Sequence, residues 1–278
     1  MNDPSDTRPG ERRAWLAVAA AVCATLATAP VARTLQKAVR DSAGEQAFLV
    51  IVVLGVLAGG GFAWRALQRT AASPARRAVV ALTVAAYLAG AWALRRSPVE
   101  ALHLLQYGAI GALAFRALSF RIRDPAVYGA AALLGVTVGI VDEGLQWLIP
   151  ERVWDLRDIG LDAAAAAAIQ LPIAFGWRPA QVTPPVTAHG VMWLARIALV
   201  ATLLLGATLL ATPARTGWLG AHVPGLGFLV THPDVMVEYG HWLEDPQIGR
   251  FKSRFTAAQI NDQVPKGQLL SNGGIFGS

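Results

Sequence analysis

Two short polar stretches, each at the end of a long apolar run, contain the side chains best suited to chemistry. In the first stretch Glu100, His103 and Tyr107 follow one another at helical spacing, and the second stretch is Asp142-Glu143-Gly144-Leu145-Gln146. A carboxylate or imidazole at the edge of a hydrocarbon span is costly without partners, so these residues indicate a site. The candidate ligand-binding residues are Glu100, His103, Tyr107, Asp142, Glu143, Gln146, Arg152, Asp155 and Asp158.

These residue types support three kinds of chemistry. Carboxylates near His and Arg can bind and protonate a phosphate-bearing head group. They can also relay protons or bind a divalent cation through their oxygens. The sequence has no nucleophile elbow, zinc-protease motif, Walker A loop or dinucleotide fingerprint, so it assigns no catalytic residue and no cofactor. Glu238, His241 and Glu244 match no specific metal signature, and we predict no metal site.

The composition is that of an integral membrane protein. The chain has 278 residues, of which 54% are hydrophobic and 15% charged, whereas about a quarter of a soluble domain is charged. A net charge of +6 would suggest nucleic acid in a soluble protein. Here most arginines lie in short loops between apolar runs, where membrane orientation explains them, so we expect no nucleic-acid partner. The single cysteine, Cys23, allows no intramolecular disulfide.

The apolar runs predict an all-α polytopic membrane protein, a bundle of about seven transmembrane helices followed by a small extramembrane C-terminal tail. Each run has the length that a bilayer core requires, and none alternates as a strand would. The predicted spans are about Ala14–Val31, Ala47–Trp64, Ala78–Leu94, Ala101–Leu118, Ala126–Ile149, Ile159–Trp177 and Val191–Ala211. They divide the chain into three leading helices (1–96), a helical core (97–178), a seventh helix (179–211) and the tail (212–278). Within the tail, residues 235–239 have the composition of a short strand.

The distribution of arginine and lysine predicts the orientation. With the N-terminus in the cytoplasm, eleven basic residues near span ends lie inside and seven outside. This places both polar stretches and the tail outside a bacterial inner membrane. The first span could instead be a signal peptide cleaved after Ala29, but Pro30 would then begin the mature chain, so an uncleaved helix is favoured.

The fourth, fifth and sixth spans are predicted to pack together. Small residues recur at close-packing spacing, as in Gly135-x-x-x-Gly139 and Gly108-x-x-x-Ala112. Such packing would gather the polar side chains near the outer surface. The structural alternative is that these are ordinary interfacial residues, with Asp158 capping the sixth helix and Arg152 pairing with a nearby carboxylate or a lipid phosphate.

At these residues the chain resembles the VanZ-like family of bacterial membrane proteins, over about residues 97–177. The matching features are Glu100 with His103-x-x-x-Tyr107, then Asp142-Glu143-x-x-Gln146, then Pro150-x-Arg152 and the segment containing Asp155 and Asp158. The family usually has Asn and, three residues later, Gly in the next helix, where this chain has Asp162 and Ala165. The resemblance implies a cell-envelope protein with an effect on sensitivity to the glycopeptide teicoplanin.

Three functions follow as hypotheses. In the first, the polar cluster binds the head group of a membrane lipid or envelope precursor. In the second, the chain is an accessory subunit of a larger membrane complex and has other membrane protein subunits as partners. In the third, it is a lipid-directed enzyme that uses Glu143 or Asp142 as base and His103 as acid.

Overall fold

The computed structural model describes residues 8–149, 154–211, 213–230, 241–245, 249–253, 257–258 and 260. This part of the chain is almost entirely helical, as predicted. The α-helices are α1 (Arg8–Thr28), α2 (Ala32–Ala43), α3 (Ala47–Arg69), α4 (Pro74–Ala93), α5 (Leu102–Leu118), α6 (Ala126–Trp147), α7 (Leu156–Ala168), α8 (Ala188–Leu209) and α9 (Pro213–His222). A π-helical segment, Pro172–Trp177, follows α7.

Four of the described helical segments are long and apolar enough to cross a membrane: α3, α6, the segment Leu156–Trp177 and α8. This supports a membrane protein, but the predicted number of seven spans is not confirmed. The other three predicted spans coincide with α1, α4 and α5, which are helical yet fall short in length or hydropathy. For α5 the reason is its length of 17 residues.

Local sequence explains several helix ends. Pro74 occupies the first turn of α4, where its missing N–H is not needed, and Ser73 precedes it as the N-cap that accepts from the N–H of Arg76. The α7 helix begins after Asp155, whose carboxylate accepts from the N–H of Arg157 at 2.7 Å. Gly44, with φ +80°, ends α2 in a conformation that other residues rarely adopt.

The α2 helix was not predicted. It lies between the first two predicted spans. The sequence pattern indicates a loop there, because this segment contains no long apolar run. Its apolar residues, such as Leu35 and Val39, lie on one face of the helix, and its charged residues, such as Lys37 and Arg40, lie on another. This pattern is typical of a helix that lies in the membrane interface.

Contacts divide the chain into two compact units, Met1–Leu205 and Gly206–Ser278. In the first unit, the most extensive contacts between described elements join α5, α6 and α7 to one another. The predicted packing of the fourth, fifth and sixth spans is therefore confirmed. α1 packs on α5, and α3 packs on α4.

The second unit contains α9, a 3₁₀ turn (Gly227–Val230) that packs on it, and an antiparallel pair of strands. The strands are β1 (His241–Asp245) and β2 (Gly249–Ser253), in which Leu243 is paired with Phe251. The strand predicted at 235–239 lies outside the described residues.

A buried carboxylate joins the starts of α6 and α8. Asp124 accepts hydrogen bonds from the N–H of Ala126, at 2.8 Å, and from both the N–H and the hydroxyl of Thr187. The Thr187 hydroxyl in turn accepts from the N–H of Gly190 and so caps α8. Burial acts to raise the pKa of Asp124, but the hydrogen bonds from Thr187 and Ala126 outweigh it, so the pKa is lowered.

Candidate functional site

Small residues bring α5, α6 and α7 close enough for their polar side chains to meet. A Cβ added at Gly135 of α6 would lie 2.4 Å from the Cβ of Ala166 in α7. One added at Gly111 of α5 would lie 2.9 Å from the carbonyl oxygen of Ala166. Neither position can hold a larger side chain unless the helices move apart. Ala166 is thus the point at which all three helices touch.

The central contact of the site joins α5 to α7. Nδ1 of His103 lies 2.7 Å from Oδ1 of Asp162. The Asp162 side chain is fully buried, whereas 16% of the His103 side chain is exposed. An ionised carboxylate can only accept a hydrogen bond, so with Asp162 ionised this bond places a proton on Nδ1 and orients the ring. The ring stacks on that of Tyr107 one turn later, with centroids 5.8 Å apart.

The second oxygen of Asp162 faces α6. Oδ2 is buried and has no hydrogen-bond partner among the described residues. It lies against Gly139, where an added Cβ would be only 2.6 Å away. Because Gly139 has no side chain, the carboxylate fits between α6 and α7 while its other oxygen reaches His103.

A parallel contact joins α5 to the end of α6. The hydroxyl of Tyr107 donates to Oδ2 of Asp142 at 3.1 Å, and both side chains are buried. Tyr107 therefore touches the site twice, by stacking on His103 and by bonding Asp142. The two stacked rings thus each bond one acidic side chain, His103 to Asp162 and Tyr107 to Asp142.

Glu143 holds the start of α7. It is 1% exposed, and its two oxygens accept from different donors: Nε2 of Gln146 and the N–H of Asp155, both at 2.8 Å. Asp155 is itself the N-cap of α7. Glu143 thus serves a positioning role, because both of its oxygens are engaged within the protein.

An exposed ion pair lies at the surface of the cluster. Nη2 of Arg157 donates to Glu100 at 3.0 Å. The Arg157 side chain is 64% exposed and that of Glu100 29% exposed. Exposed pairs contribute little to stability, so this one mainly shapes the edge of the site.

Two cavities open beside His103. One of about 340 Å³ is bounded by charged and polar groups, and one of about 200 Å³ is more apolar. Both have His103, Gln146, Gln36 and Val99 in their walls. The larger cavity is completed by Glu45, Arg96, Ser97, Glu100 and Asp158. Gln36 belongs to α2, so this unpredicted helix forms part of the candidate site.

The structure brings most of the predicted site residues together. Glu100, His103, Gln146 and Asp158 line the larger cavity, Asp142 lines the smaller one, and Tyr107, Glu143 and Asp155 hold these side chains in place. Asp158 lies in the first turn of α7, and Asp155, not Asp158, caps that helix. Arg152 lies outside the described residues.

Sequence reasoning missed the role of Asp162. Two signals pointed to it: it lies four residues after Asp158 on one face of α7, and it replaces the Asn usual in the VanZ-like pattern. Sequence reasoning also missed Gln36 and Arg96, which lie in connections that no motif covers. Only the arrangement of helices places them beside His103.

A metal centre has no support in the described part of the chain, where no three His, Cys, Asp or Glu side chains are grouped so that they could hold an ion. Of the tail residues considered in the sequence, Glu238 and the side chain of His241 lie outside the described residues. The polar cluster can instead exchange protons and hydrogen bonds, through an oriented imidazole beside carboxylates, amides and an arginine.

Comparisons of the chain with protein-family models, with curated proteins and with solved structures found no match. The VanZ-like resemblance therefore stays a prediction from the motifs.

Proposed function

We propose that the cluster around His103 binds the polar head group of a membrane lipid or envelope precursor. The observation that carries this proposal is the position of His103, which Asp162 orients from inside the protein while its ring forms a wall of two cavities. Nδ1 is occupied by Asp162, so Nε2 is the nitrogen left to meet a ligand. It makes no hydrogen bond with any residue that the structure describes.

The chemistry of the larger cavity supports a head group with both an anionic part and hydroxyl or amine groups. Arg96 and protonated His103 attract a phosphate, and Gln36 and Ser97 offer neutral donors. Glu45, Glu100 and Asp158 line the same cavity and accept from hydroxyl or ammonium groups. A simple anion would satisfy only the first set, and the three carboxylates would repel it.

The proposal includes a membrane location. We place the chain in the bacterial inner membrane with about seven spans, the N-terminus in the cytoplasm, and the site and tail outside. The distribution of arginines supports this orientation. A site on the outer face would meet envelope precursors after their export, which fits the effect on teicoplanin sensitivity that the VanZ-like resemblance implies.

The first test measures lipid binding by the purified protein. We would purify the protein in mild detergent and use native mass spectrometry with added prenyl phosphate, prenyl diphosphate, phosphatidylglycerol and phosphatidylethanolamine. We expect phosphatidylglycerol or phosphatidylethanolamine, whose phosphates carry hydroxyl or amine groups, to bind more tightly than the two prenyl lipids. His103→Gln should weaken that binding about tenfold or more, because a hydrogen bond to a charged group contributes about 1.5–3 kcal/mol. His189→Gln, at an exposed histidine of α8, is the matched control.

Equal affinity of the wild-type and His103→Gln proteins for every lipid would contradict the proposal. A fixed set of co-purifying membrane proteins with no bound lipid would favour the accessory-subunit hypothesis instead. The teicoplanin effect has a separate test, in which a susceptible bacterium expresses either protein. The teicoplanin effect is supported if teicoplanin resistance rises in cells that express the wild-type protein and does not rise in cells that express His103→Gln.

One observation favours an acid/base enzyme as a second candidate. Asp142 and His103 line the same 200 Å³ cavity, so a carboxylate and an imidazole could act on one substrate. Asp142 suits the role of base better than Glu143, because Asp142 lines this cavity and Glu143 lines neither cavity beside His103. Turnover of a prenyl phosphate or phospholipid, lost in both Asp142→Asn and His103→Gln, supports this candidate, and unchanged lipids after prolonged incubation exclude it for the lipids used.

A further inference from the structure

A second groove runs along the other side of α5. It consists of a cavity of about 250 Å³ between α3, α4 and α5 and a cavity of about 380 Å³ that continues from it. The two cavities share Ala63, Val80, Ile169 and Pro172 in their walls, so they adjoin and together make up the groove. None of its wall residues lines the cavities beside His103.

The first part of the groove offers nothing to a polar ligand. Its walls are apolar side chains and glycines, apart from Thr83 and Tyr87. The Thr83 hydroxyl donates to the carbonyl of Val79 at 2.9 Å, and the Tyr87 hydroxyl donates to the carbonyl of Ala165 at 2.7 Å. Both hydroxyls already have partners in the protein. These walls therefore match a hydrocarbon chain better than a polar ligand.

Gly59 leaves the groove open. A Cβ added at Gly55 or Gly60, its neighbours on α3, would meet Leu105 or Val84 at 2.7 or 2.4 Å, so these glycines are packed. A Cβ added at Gly59 would meet nothing within 4 Å, although Gly59 lines the groove. The part of the groove beside Gly59 is thus open space that no side chain of the described residues fills.

The other part of the groove carries a positive charge. Arg116, in the last turn of α5, lies in its wall with Ser119 and Gln181. The Arg116 side chain makes no hydrogen bond or ion pair with the described residues. The nearby Arg76 differs, because it donates to the carbonyls of Gly176 and Trp177. The rise of an α-helix puts Arg116 about 20 Å along α5 from His103.

We propose that this groove binds one acyl chain of an anionic glycerophospholipid, whose phosphate lies at Arg116. The apolar walls select a hydrocarbon chain, and the arginine at one end selects an anionic head group. A basic pocket between transmembrane helices is a known kind of phospholipid site. This site is independent of the proposed function, because the two share no residue.

The test measures phospholipids retained by the full chain, purified in mild detergent from membranes that contain phosphatidylglycerol and phosphatidylethanolamine. Native mass spectrometry counts lipids per chain. We expect one retained phosphatidylglycerol in the wild type and loss of most of it in Gly59→Leu, which fills the groove. Gly61→Leu is the matched control, since an added Cβ there also meets nothing within 4 Å but Gly61 does not line the groove.

Arg116→Gln tests the head group. We expect its preference for phosphatidylglycerol over phosphatidylethanolamine to fall about fivefold, since a basic residue near anionic lipid contributes about 1 kcal/mol. Arg69→Gln, which removes an exposed charge from the last turn of α3, should leave the preference unchanged. His103→Gln should still retain the phosphatidylglycerol that Gly59→Leu loses, which separates this site from the head-group site.

Equal retention of phosphatidylglycerol by Gly59→Leu and the wild type would overturn the proposal. So would an unchanged lipid preference in Arg116→Gln, or a lipid-free dimer in which a second copy occupies the groove. If Gly59→Leu does not accumulate as folded protein, Gly59→Ala provides a smaller obstruction. In that case the proposal requires Gly59→Ala to retain less phosphatidylglycerol than Gly61→Ala.

Discussion

Gly139 of α6 lies directly against Asp162 of α7: a Cβ at position 139 would be 2.6 Å from Oδ2 of Asp162 and 3.0 Å from its Cβ. The same carboxylate holds His103 through its other oxygen. The missing side chain of Gly139 on α6 thus leaves room for the Asp162 carboxylate, and that carboxylate fixes the position of the His103 ring on α5. This relationship leads to the first prediction.

Gly139→Ala should disturb the His103 site without changing a polar residue. The added methyl group must displace the Asp162 carboxylate or separate α6 from α7, and overpacking of this kind costs about 1–3 kcal/mol. We expect weaker head-group binding, measured by native mass spectrometry, and a lower Tm.

Gly160→Ala is the control for that substitution. It lies on α7, where an added Cβ meets nothing within 4 Å, so better helix propensity should raise the stability by about 0.5–1 kcal/mol. Binding by Gly139→Ala that equals binding by Gly160→Ala would show that Gly139 does not position the site.

Glu143→Gln should loosen the start of α7. The glutamine amide has one accepting oxygen, whereas the carboxylate accepts from both Gln146 and the N–H of Asp155. One hydrogen bond to a charged acceptor is lost, at a cost of about 1.5–3 kcal/mol. We expect a lower Tm and faster limited proteolysis between α6 and α7. Proteolysis at the wild-type rate would count against the positioning role of Glu143.

Glu100→Gln should have a much smaller effect on stability than Glu143→Gln. Glu100 is paired with an arginine that is 64% exposed, and exposed pairs contribute about 0.2–1 kcal/mol. A double-mutant cycle with Arg157→Gln, read from thermal unfolding in detergent, measures this coupling. A coupling energy above this range would mean that the pair is shielded from solvent in the membrane.

The carboxylate of Asp124 should make stability depend on pH in the acid range. Its pKa in the folded protein is below its ordinary value of 3.8, so the folded state favours the ionised form. The ionised Asp124 carboxylate contributes its full stabilisation at pH values above its ordinary pKa of 3.8. This stabilisation is lost as the pH falls through the pKa of the folded state. We expect Asp124→Asn to have the lower Tm at pH 7 and the difference to shrink below pH 4, to about zero once both proteins are neutral at residue 124.

Two variants control the Asp124 experiment. Asp41→Asn removes an exposed carboxylate and should leave the Tm unchanged at pH 7. Gly190→Ala should lower the Tm as Asp124→Asn does, because an added Cβ would lie 2.3 Å from Oδ2 of Asp124. A Tm difference between Asp124→Asn and the wild type that stays constant down to pH 3 would contradict the assignment.

Much of the architecture could be predicted because it depends on local properties. Apolar runs of bilayer length predicted helices at α1, α3, α4, α5, α6, α7 and α8, and the glycines at 135 and 139 predicted close packing of the core. The number of spans was less secure, since α1, α4 and α5 are marginal in length or hydropathy. The α2 helix was missed because its signal is amphipathic periodicity without an apolar run.

The candidate site could be predicted only in part. His103 and Tyr107 are four residues apart on α5, so their grouping follows from spacing alone, whereas Glu100 lies in the turn before α5 and not on the helical face that the spacing predicts. The partner of His103 did not follow, because Asp162 lies 59 residues away. The contribution of Gln36 did not follow either, because it depends on how α2 packs against the rest of the protein.

The amino-acid pattern alone makes this chain an apolar helical protein with acidic and imidazole groups at the ends of its spans, because hydropathy and helical spacing are properties of consecutive residues. The tertiary structure decided which of these groups pair, which are buried as supports and which line a cavity. The physical reason is that pairing across helices depends on their rotation and separation. Gly111, Gly135 and Gly139 set this rotation and separation, because α5 and α6 can approach α7 closely only at residues without a side chain.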